Sequence, residues 1–138
     1  MGTPGGLMEL EPGGRALRQE DLVQVIADPA VAPVTGAGDC WRGVANLRGG
    51  LIGVADLGVL LDGHPTEGGV MVAISTDGGE FGLLCEGVRG TRDLPGADAL
   101  PDEPLDGDPE WLLPAPPGEP RVIDISLLLE DERMQGGR

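Results

Sequence analysis

Short aliphatic runs separated by glycine and proline dominate the pattern of apolar and polar positions along the chain. The clearest pair is Val44–Leu47 and Leu51–Leu57, joined by Arg48, Gly49 and Gly50. Two short apolar runs with a glycine-containing link predict a β-hairpin, and both glycines can adopt the positive φ that a tight reversal needs. Arg48 then stands at the turn, either as a solvated loop side chain or as a donor to a partner's carboxylate.

Further apolar runs predict more strands around this hairpin. Leu7–Leu10 forms a short first strand, Val70–Ile74 a strand buried on both faces, and Phe81–Val88 the strand that returns after a tight turn at 77–79. The pattern of Arg15–Ile26 does not decide between helix and strand, because its apolar spacing partly fits both. Short runs of this kind favour an all-β domain over a helical one.

A strand that runs into a short amphipathic helix is predicted twice. Val54–Asp62 and Val122–Glu130 both read aliphatic, any residue, Asp, aliphatic, two residues, Leu-Leu, acid. Asp56 is expected near the start of the first helix, and Ser126 is the candidate N-cap of a second helix, Leu127–Met134. The repeat predicts two similar small subdomains that share a core, with chance as the alternative for so short a pattern.

The chain of 138 residues is expected to form one domain, 1–138. Residues 1–6 are predicted to be a disordered lead-in, 93–120 an irregular surface excursion rich in proline and acids, and 131–138 a frayed tail. Neither a signal peptide nor an apolar run of membrane-spanning length is visible. The sequence therefore predicts a soluble, cytoplasmic protein.

Composition narrows the class of partner. The net charge is -15, from 24 acids against 9 bases, and every base is arginine. Such a surface repels phosphate backbones and anionic membranes, so nucleic acid and lipid are poor partners. The apolar fraction is 40% and the aromatic fraction 2%, which predicts a core of Val, Leu, Ile and Ala. An acidic scaffold that binds basic partners remains one option, with steeply salt-sensitive binding.

Catalytic and metal chemistry finds little support in the sequence. Cys40 and Cys85 lie far apart in no C-x-x-C arrangement, and with the single histidine, His64, they cannot make a usual zinc site. Cys40, His64 and an aspartate could compose a nucleophile constellation, but no local signature supports it. We expect no enzyme activity, no cofactor and no metal, and keep a small cysteine-dependent enzyme as the less favoured alternative.

The stretch Gly43–Gly49, followed by Val54-Ala55-Asp56-Leu57, resembles the core motif of CheW-like domains. In that family the pattern is G-V-x-N-x-R-G and then an aliphatic stretch that ends in V/I-x-D-L. Gly82–Val88 is similar to the family's G-[aliphatic]-x-V-D-x-V strand, and Val122–Ile125 is similar to its closing strand. The resemblance covers about 7–130.

The resemblance implies a pair of five-stranded, SH3-like β-barrels that pack over an aliphatic core, with short helices after the Asp56 and Asp124 strands. It also implies a non-catalytic adaptor that couples the cytoplasmic tip of a methyl-accepting chemoreceptor to the regulatory domain of a chemotaxis-type histidine kinase, without direct membrane insertion. With Trp41 just before the motif, the chain resembles the subset of the family found in type IV pilus (twitching motility) signalling. That pathway is the alternative.

The resemblance also implies a receptor-binding surface. Its residues in this chain are Val23, Gly43, Arg48, Gly82 and Val88. The glycines would let a receptor helix approach the backbone closely, and the valines would offer apolar area. Core packing for the valines and strand geometry for the glycines are the alternatives from the residues alone.

Two positions depart from the family's pattern. Members often carry an acid where Val25 stands, which can pair with the motif arginine. Arg48 is therefore expected either to be free for a partner or to pair with an acid elsewhere. In the late Y-x-x-G element this chain has Trp111–Pro114, and Pro114 lacks an N–H and has a fixed φ. That edge is therefore not expected to pair in the family's way.

Overall fold

The structure is a computed structural model that describes residues 6–11, 14–34, 40–67, 69–92, 109–113, 120–131 and 134. The predicted lead-in falls outside these residues except for Gly6. The same is true of the predicted irregular segment, except for 109–113 and Pro120, and of the predicted tail, except for Asp131 and Met134.

Nine strands and two short α-helices occur among the described residues. In chain order the elements are β1 (Leu7–Glu11), β2 (Arg15–Arg18), a 3₁₀-helix (Gln19–Asp21), β3 (Leu22–Ala27), β4 (Trp41–Leu47), β5 (Gly50–Asp56), α1 (Leu57–Asp62), β6 (Val70–Thr76), β7 (Gly79–Cys85), β8 (Gly87–Arg92), β9 (Arg121–Val122) and α2 (Ile125–Glu130).

The described strands form two sheets. One has four strands in the order β8-β1-β2-β9, and the other has five in the order β3-β6-β7-β5-β4. An isolated antiparallel bridge between Leu112 and Ile123 extends the first sheet beyond β9. The arrangement confirms the predicted all-β fold of two subdomains with short helices after the Asp56 and Asp124 strands. The predicted number of five strands holds for the second sheet, whereas the first sheet has four strands among the described residues.

A mainly aliphatic core joins the two sheets. Its buried members come from both sheets and both helices; they are Met8, Leu10, Leu17, Cys40, Ala55, Leu57, Leu60, Val72, Ile74, Phe81, Leu83, Cys85, Trp111, Leu112, Ile123, Ile125, Leu128 and Met134. The five-stranded sheet also encloses a separate apolar cluster around Val54, Met71 and Leu84. The predicted shared core is therefore confirmed, and each sheet contributes one face to it.

The predicted hairpin is present as β4 and β5, but its turn differs in one respect. Positive φ occurs at Arg48 (51°) and Gly49 (88°), whereas Gly50 is already paired with Leu47 across the ladder. Two left-handed residues between paired strand ends are the geometry of a two-residue hairpin turn. The side chain of Asn46 supports it, since its Oδ1 accepts a hydrogen bond from the Gly49 N–H at 3.1 Å.

The ambiguous segment Arg15–Ile26 contains β2, a 3₁₀-turn and β3 rather than an α-helix. Strand pairing overrides the helical spacing, because β2 lies between β1 and β9 and β3 pairs with β6.

The predicted returning strand Phe81–Val88 is wrong as one element. It divides at Glu86 into β7 and β8, and these strands belong to different sheets.

The two short helices begin at equivalent aspartates. Asp56 caps α1, as predicted, and its carboxylate accepts from the Val59 N–H. The predicted cap Ser126 is wrong, because Asp124 caps α2 and accepts from the Leu127 N–H. α2 therefore begins at Ile125, two residues earlier than predicted, and matches the first copy of the repeat.

Trp111 and Met134, which lie in the segments predicted to be irregular or frayed, are packed against the rest of the chain. Trp111 is buried, and its indole Nε1 donates to Asp131 Oδ2 at 2.9 Å. Met134 is also buried, and its carbonyl accepts from the indole Nε1 of Trp41 at 3.0 Å. Just before Pro114, which lies outside the described residues, the Leu113 N–H donates to the Val122 carbonyl.

Neither described α-helix is long or apolar enough to cross a membrane.

Candidate functional site

Three of the five predicted receptor-side residues lie along one row across the five-stranded sheet. Gly43 on β4 is opposite Val54 on β5, and Val54 is opposite Gly82 on β7. The row continues through Ala73 on β6 to the bulge in β3, which contains Val23. The sequence separation of these residues did not reveal the row, because the β5–β7 pair is parallel and non-sequential.

Val88 lies elsewhere. It is on β8, opposite Leu10 in the four-stranded sheet, and packs half-buried against the shared core. The structure therefore does not bring Val88 into the sheet that holds the other four predicted residues.

Gly43 has an internal reason to be glycine. Its φ is +146°, and a Cβ there would overlap the carbonyl group of Ala32. Ala32 and Val44 exchange two backbone hydrogen bonds, of 2.8 and 2.9 Å, so the connector after β3 closes directly over this position. The space left by the missing side chain is filled by the chain's own backbone.

Gly82 and Val23 also contact the interior of the five-stranded subdomain. A Cβ on Gly82 would lie 2.6 Å from Met71 Sδ, so the sulfur of Met71 fills that space. Val23 is half-buried against the cluster that contains Met71. These contacts give both residues a packing role.

Arg48 differs from the other predicted residues because its side chain faces solvent. Its side chain is 60% exposed, and Nη2 lies 2.9 Å from Oε2 of Glu80, whose side chain is 33% exposed. Family members often carry, at the position of Val25, an acid that can pair with the motif arginine. In this chain Glu80 provides the acid for Arg48, and Val25 is 44% exposed. An ion pair this exposed stabilises by only about 0.2–1 kcal/mol, so a partner's carboxylate can compete for the guanidinium.

Leu51 lies beside Arg48 and extends the exposed surface. The residue is 72% exposed, and it is opposite Asn46 in the β4–β5 ladder. We call Asn46, Arg48, Leu51 and Glu80 the hairpin tip. Strand alternation could have indicated Leu51, since Ile52 and Val54 point to the opposite, buried face. Only the parallel pairing of β5 with β7 brings Glu80 close.

A buried polar network holds the other end of the hairpin. The fully buried carboxylate of Asp56 is 2.6 Å from Arg42 Nη1, and it accepts from both the hydroxyl and the N–H of Thr66. Burial alone would raise the pKa of Asp56, but the hydrogen bonds from Thr66, Arg42 and Val59 outweigh it and lower the pKa. The sequence indicated Asp56 as a cap but gave no signal for Thr66.

The cysteines show no nucleophilic arrangement among the described residues. Cys40 and Cys85 are both buried and not disulfide-bonded. Burial raises the pKa of the Cys85 thiol to about 11, which disfavours the reactive thiolate. His64 and Cys85 line one small cavity of about 230 Å³. No group of three or more potential metal ligands is present in the described part of the chain.

These features define an all-β domain of two subdomains that presents an exposed arginine and an exposed leucine at the tip of a hairpin, side chains suited to binding another protein. The sequence model of the CheW-like domain family matches residues 9–115. This chain belongs to that family.

A solved structure agrees with this assignment. Scaffolding protein TtCheW from Thermoanaerobacter tengcongensis is similar in structure, with a TM-score of 0.70, 19% sequence identity and coverage of 88% of both chains. At that identity the likeness shows the fold. No curated protein sequence matches the chain significantly. At the family level, a scaffold or coupling role and the absence of catalysis are supported.

Proposed function

We propose that this chain is a cytoplasmic adaptor that couples the cytoplasmic tip of a methyl-accepting chemoreceptor to a chemotaxis-type histidine kinase. The observation that carries the proposal is Arg48, which stands at the family's motif position, faces solvent, and forms an exposed ion pair with Glu80. Membership of the CheW-like family supports the kind of role.

The hairpin tip would meet the receptor. The guanidinium of Arg48 offers a planar donor fork to a receptor carboxylate, and Leu51 offers apolar area beside it. In this proposal Gly43, Gly82 and Val23 support the tip by shaping the five-stranded subdomain beneath it. Val88 would act from the other subdomain, where it borders the shared core.

The kinase would bind a different end of the molecule. One subdomain's apolar end would dock on the homologous regulatory domain of the kinase by barrel-to-barrel contact. Signalling would then be a shift in the kinase's conformational equilibrium, which needs a difference in affinity between two kinase states and no chemistry in the adaptor.

Capture from the lysate of the native cell tests this proposal. We would compare the wild-type protein with Arg48→Glu, with the charge swap Arg48→Glu/Glu80→Arg, and with Arg89→Glu, an exposed position on the other sheet. The wild type and Arg89→Glu should recover a histidine kinase and a coiled-coil receptor. Arg48→Glu should retain the kinase and lose the receptor.

The charge swap separates a local role of the ion pair from recognition. If Arg48 only holds Glu80, the reversed pair restores receptor capture; if Arg48 meets the receptor, capture stays lost. Retention of both partners by Arg48→Glu would contradict the assigned surface. Recovery of neither partner by the folded wild type would contradict the coupling function.

The identity of the captured kinase also separates chemotaxis from the type IV pilus alternative. Trp41, the residue that suggested the pilus pathway, has a packing role here, because its ring meets Phe81 edge-to-face at 6.4 Å and covers Gly53.

A further inference from the structure

A groove of about 730 Å³ lies where elements of the two subdomains meet, and none of the five predicted receptor-side residues lines it. Its walls come from three parts of the chain: the end of β2 with the 3₁₀-turn, the β6–β7 turn, and the first part of α2. The lining residues that matter below are Arg18, Asp21, Asp77, Asp124, Leu127 and Leu129.

One wall of the groove is apolar. Leu127 and Leu129 on α2 are half-buried, and their inner surfaces pack against the shared core. Part of each side chain therefore remains open to the groove. A partner's aliphatic side chains could remove that area from water, which is the usual source of affinity at the centre of an interface.

The remaining walls are acidic. Asp21, Asp77 and Asp124 line them together with one arginine, Arg18. One oxygen of Asp124 is occupied by the Leu127 N–H at 3.0 Å. Burial raises the pKa of Asp21, and the charges of Glu20 and Asp124 raise it further, against the lowering effect of Arg18. A carboxylate in such surroundings gains more from an incoming cation than a fully solvated one does.

We propose that this groove binds a basic, leucine-bearing segment of a partner protein. Its lysine or arginine side chains meet Asp21 and Asp77, and its leucine side chains cover Leu127 and Leu129. Charge complementarity selects this occupant, because a second copy of the chain carries a net charge of -15 and would add acid to acid. The proposal does not depend on the coupling function, since none of the hairpin-tip residues lines the groove.

Fluorescence anisotropy with three labelled synthetic peptides tests the proposal on the full chain. The first peptide combines lysine and leucine, the second replaces each leucine by serine at the same charge, and the third replaces each lysine by glutamate. The groove variant is Asp21→Asn/Asp77→Asn, and the matched variant outside the groove is Asp28→Asn/Glu67→Gln. Each double variant removes two negative charges. Asp21 is half-buried, and the other three positions are exposed. Thermal melting confirms that both fold.

The lysine–leucine peptide should bind the wild type, and the groove variant should weaken binding about fivefold, as expected for two partly exposed charge pairs. The matched variant should stay within about twofold of the wild type. The serine peptide should bind more weakly than the leucine peptide, and the glutamate peptide should not bind.

Three results would overturn the proposal. Equal weakening by both double variants would mean that the peptide follows the overall negative charge. Equal binding of the serine and leucine peptides would remove the role of Leu127 and Leu129. Absence of binding by the lysine–leucine peptide to the wild type would remove the site. If the groove variant melts early, Asp77→Asn alone, in the exposed β6–β7 turn, is compared with Glu67→Gln alone, which removes one charge from an exposed position outside the groove.

Discussion

Asp56 and Asp124 cap the two described α-helices, α1 and α2, in the same way. The Oδ1 of Asp56 accepts from the Val59 N–H at 3.3 Å, and the Oδ1 of Asp124 accepts from the Leu127 N–H at 3.0 Å. They differ in their surroundings, because only Asp56 is fully buried and also binds Arg42 and Thr66. One sequence pattern therefore supplies a simple cap in one subdomain and a buried charged network in the other.

This difference predicts unequal costs for the same substitution. Asp56→Asn removes the charge that faces Arg42 in a buried site, so the free energy of unfolding should fall by about 2–3 kcal/mol. Asp124→Asn keeps an equally good N-cap, so its cost should be below about 0.5 kcal/mol. Urea denaturation of both variants measures the difference. Equal costs would show that capping, rather than the network, stabilises the Asp56 site.

Asp56 should also control the acid limb of the stability profile. Its pKa is lowered from 3.8 in the folded chain, so between that lowered pKa and 3.8 the unfolded chain binds more protons. The stabilisation is therefore fully present above about pH 4 and is lost as the pH falls through the folded pKa. Unfolding free energies below pH 4 should fall less steeply in Asp56→Asn than in the wild type. Parallel profiles would contradict the assignment of this titration to Asp56.

The β4–β5 hairpin shows how much of the fold could be predicted from the sequence. The hairpin, Asp56 as a cap and the repeated strand–helix unit follow from local chemistry, because turn residues, caps and apolar alternation act over a few positions. The position of Val88 in another sheet and the Arg48–Glu80 pair could not be predicted. Both depend on a non-sequential strand order, with β5 parallel to β7 and a break at Glu86.

The candidate site shows the same limit. The motif indicated Arg48 correctly as a turn residue, but its partner is 32 positions away. The motif glycine Gly43 looked equally suited to partner approach and to strand geometry. Only the three-dimensional contact with Ala32 reveals that the chain itself fills the space, and a contact between a connector and a strand edge leaves no periodic signal in the sequence.

The glycines themselves can be compared by substitution. Gly43→Ala combines a strained φ with overlap of the Ala32 backbone, which has no freedom to move away, so we expect a loss of about 3 kcal/mol or more. Gly82→Ala meets the flexible end of Met71, and it should cost about 1–2 kcal/mol as in ordinary overpacking. Thermal melts rank the two. A smaller effect for Gly43→Ala than for Gly82→Ala would contradict the packing role given to Gly43.

Trp41 should stabilise the segment after α2. Trp41→Phe keeps an aromatic ring against Phe81 but removes the indole N–H that donates to the Met134 carbonyl. The unfolding free energy should fall by about 1–2 kcal/mol, from the lost hydrogen bond and the smaller ring. Amide hydrogen exchange should increase at Met134 while exchange in β1 stays unchanged. Unchanged exchange at Met134 would contradict the anchoring role of Trp41.

The geometry of the hairpin tip predicts that one substitution, Glu80→Gln, raises receptor affinity. In the free protein Glu80 occupies the guanidinium of Arg48, so receptor binding by Arg48 must first displace Glu80. Glu80→Gln removes this competition, and receptor affinity should rise about two- to fivefold, the worth of an exposed ion pair. Glu67→Gln, an exposed acid away from the tip, is the control for the change in net charge and should have no effect. A fall in affinity in Glu80→Gln would mean that the partner recognises the Arg48–Glu80 pair as a unit, and that Arg48 is not displaced from it on binding.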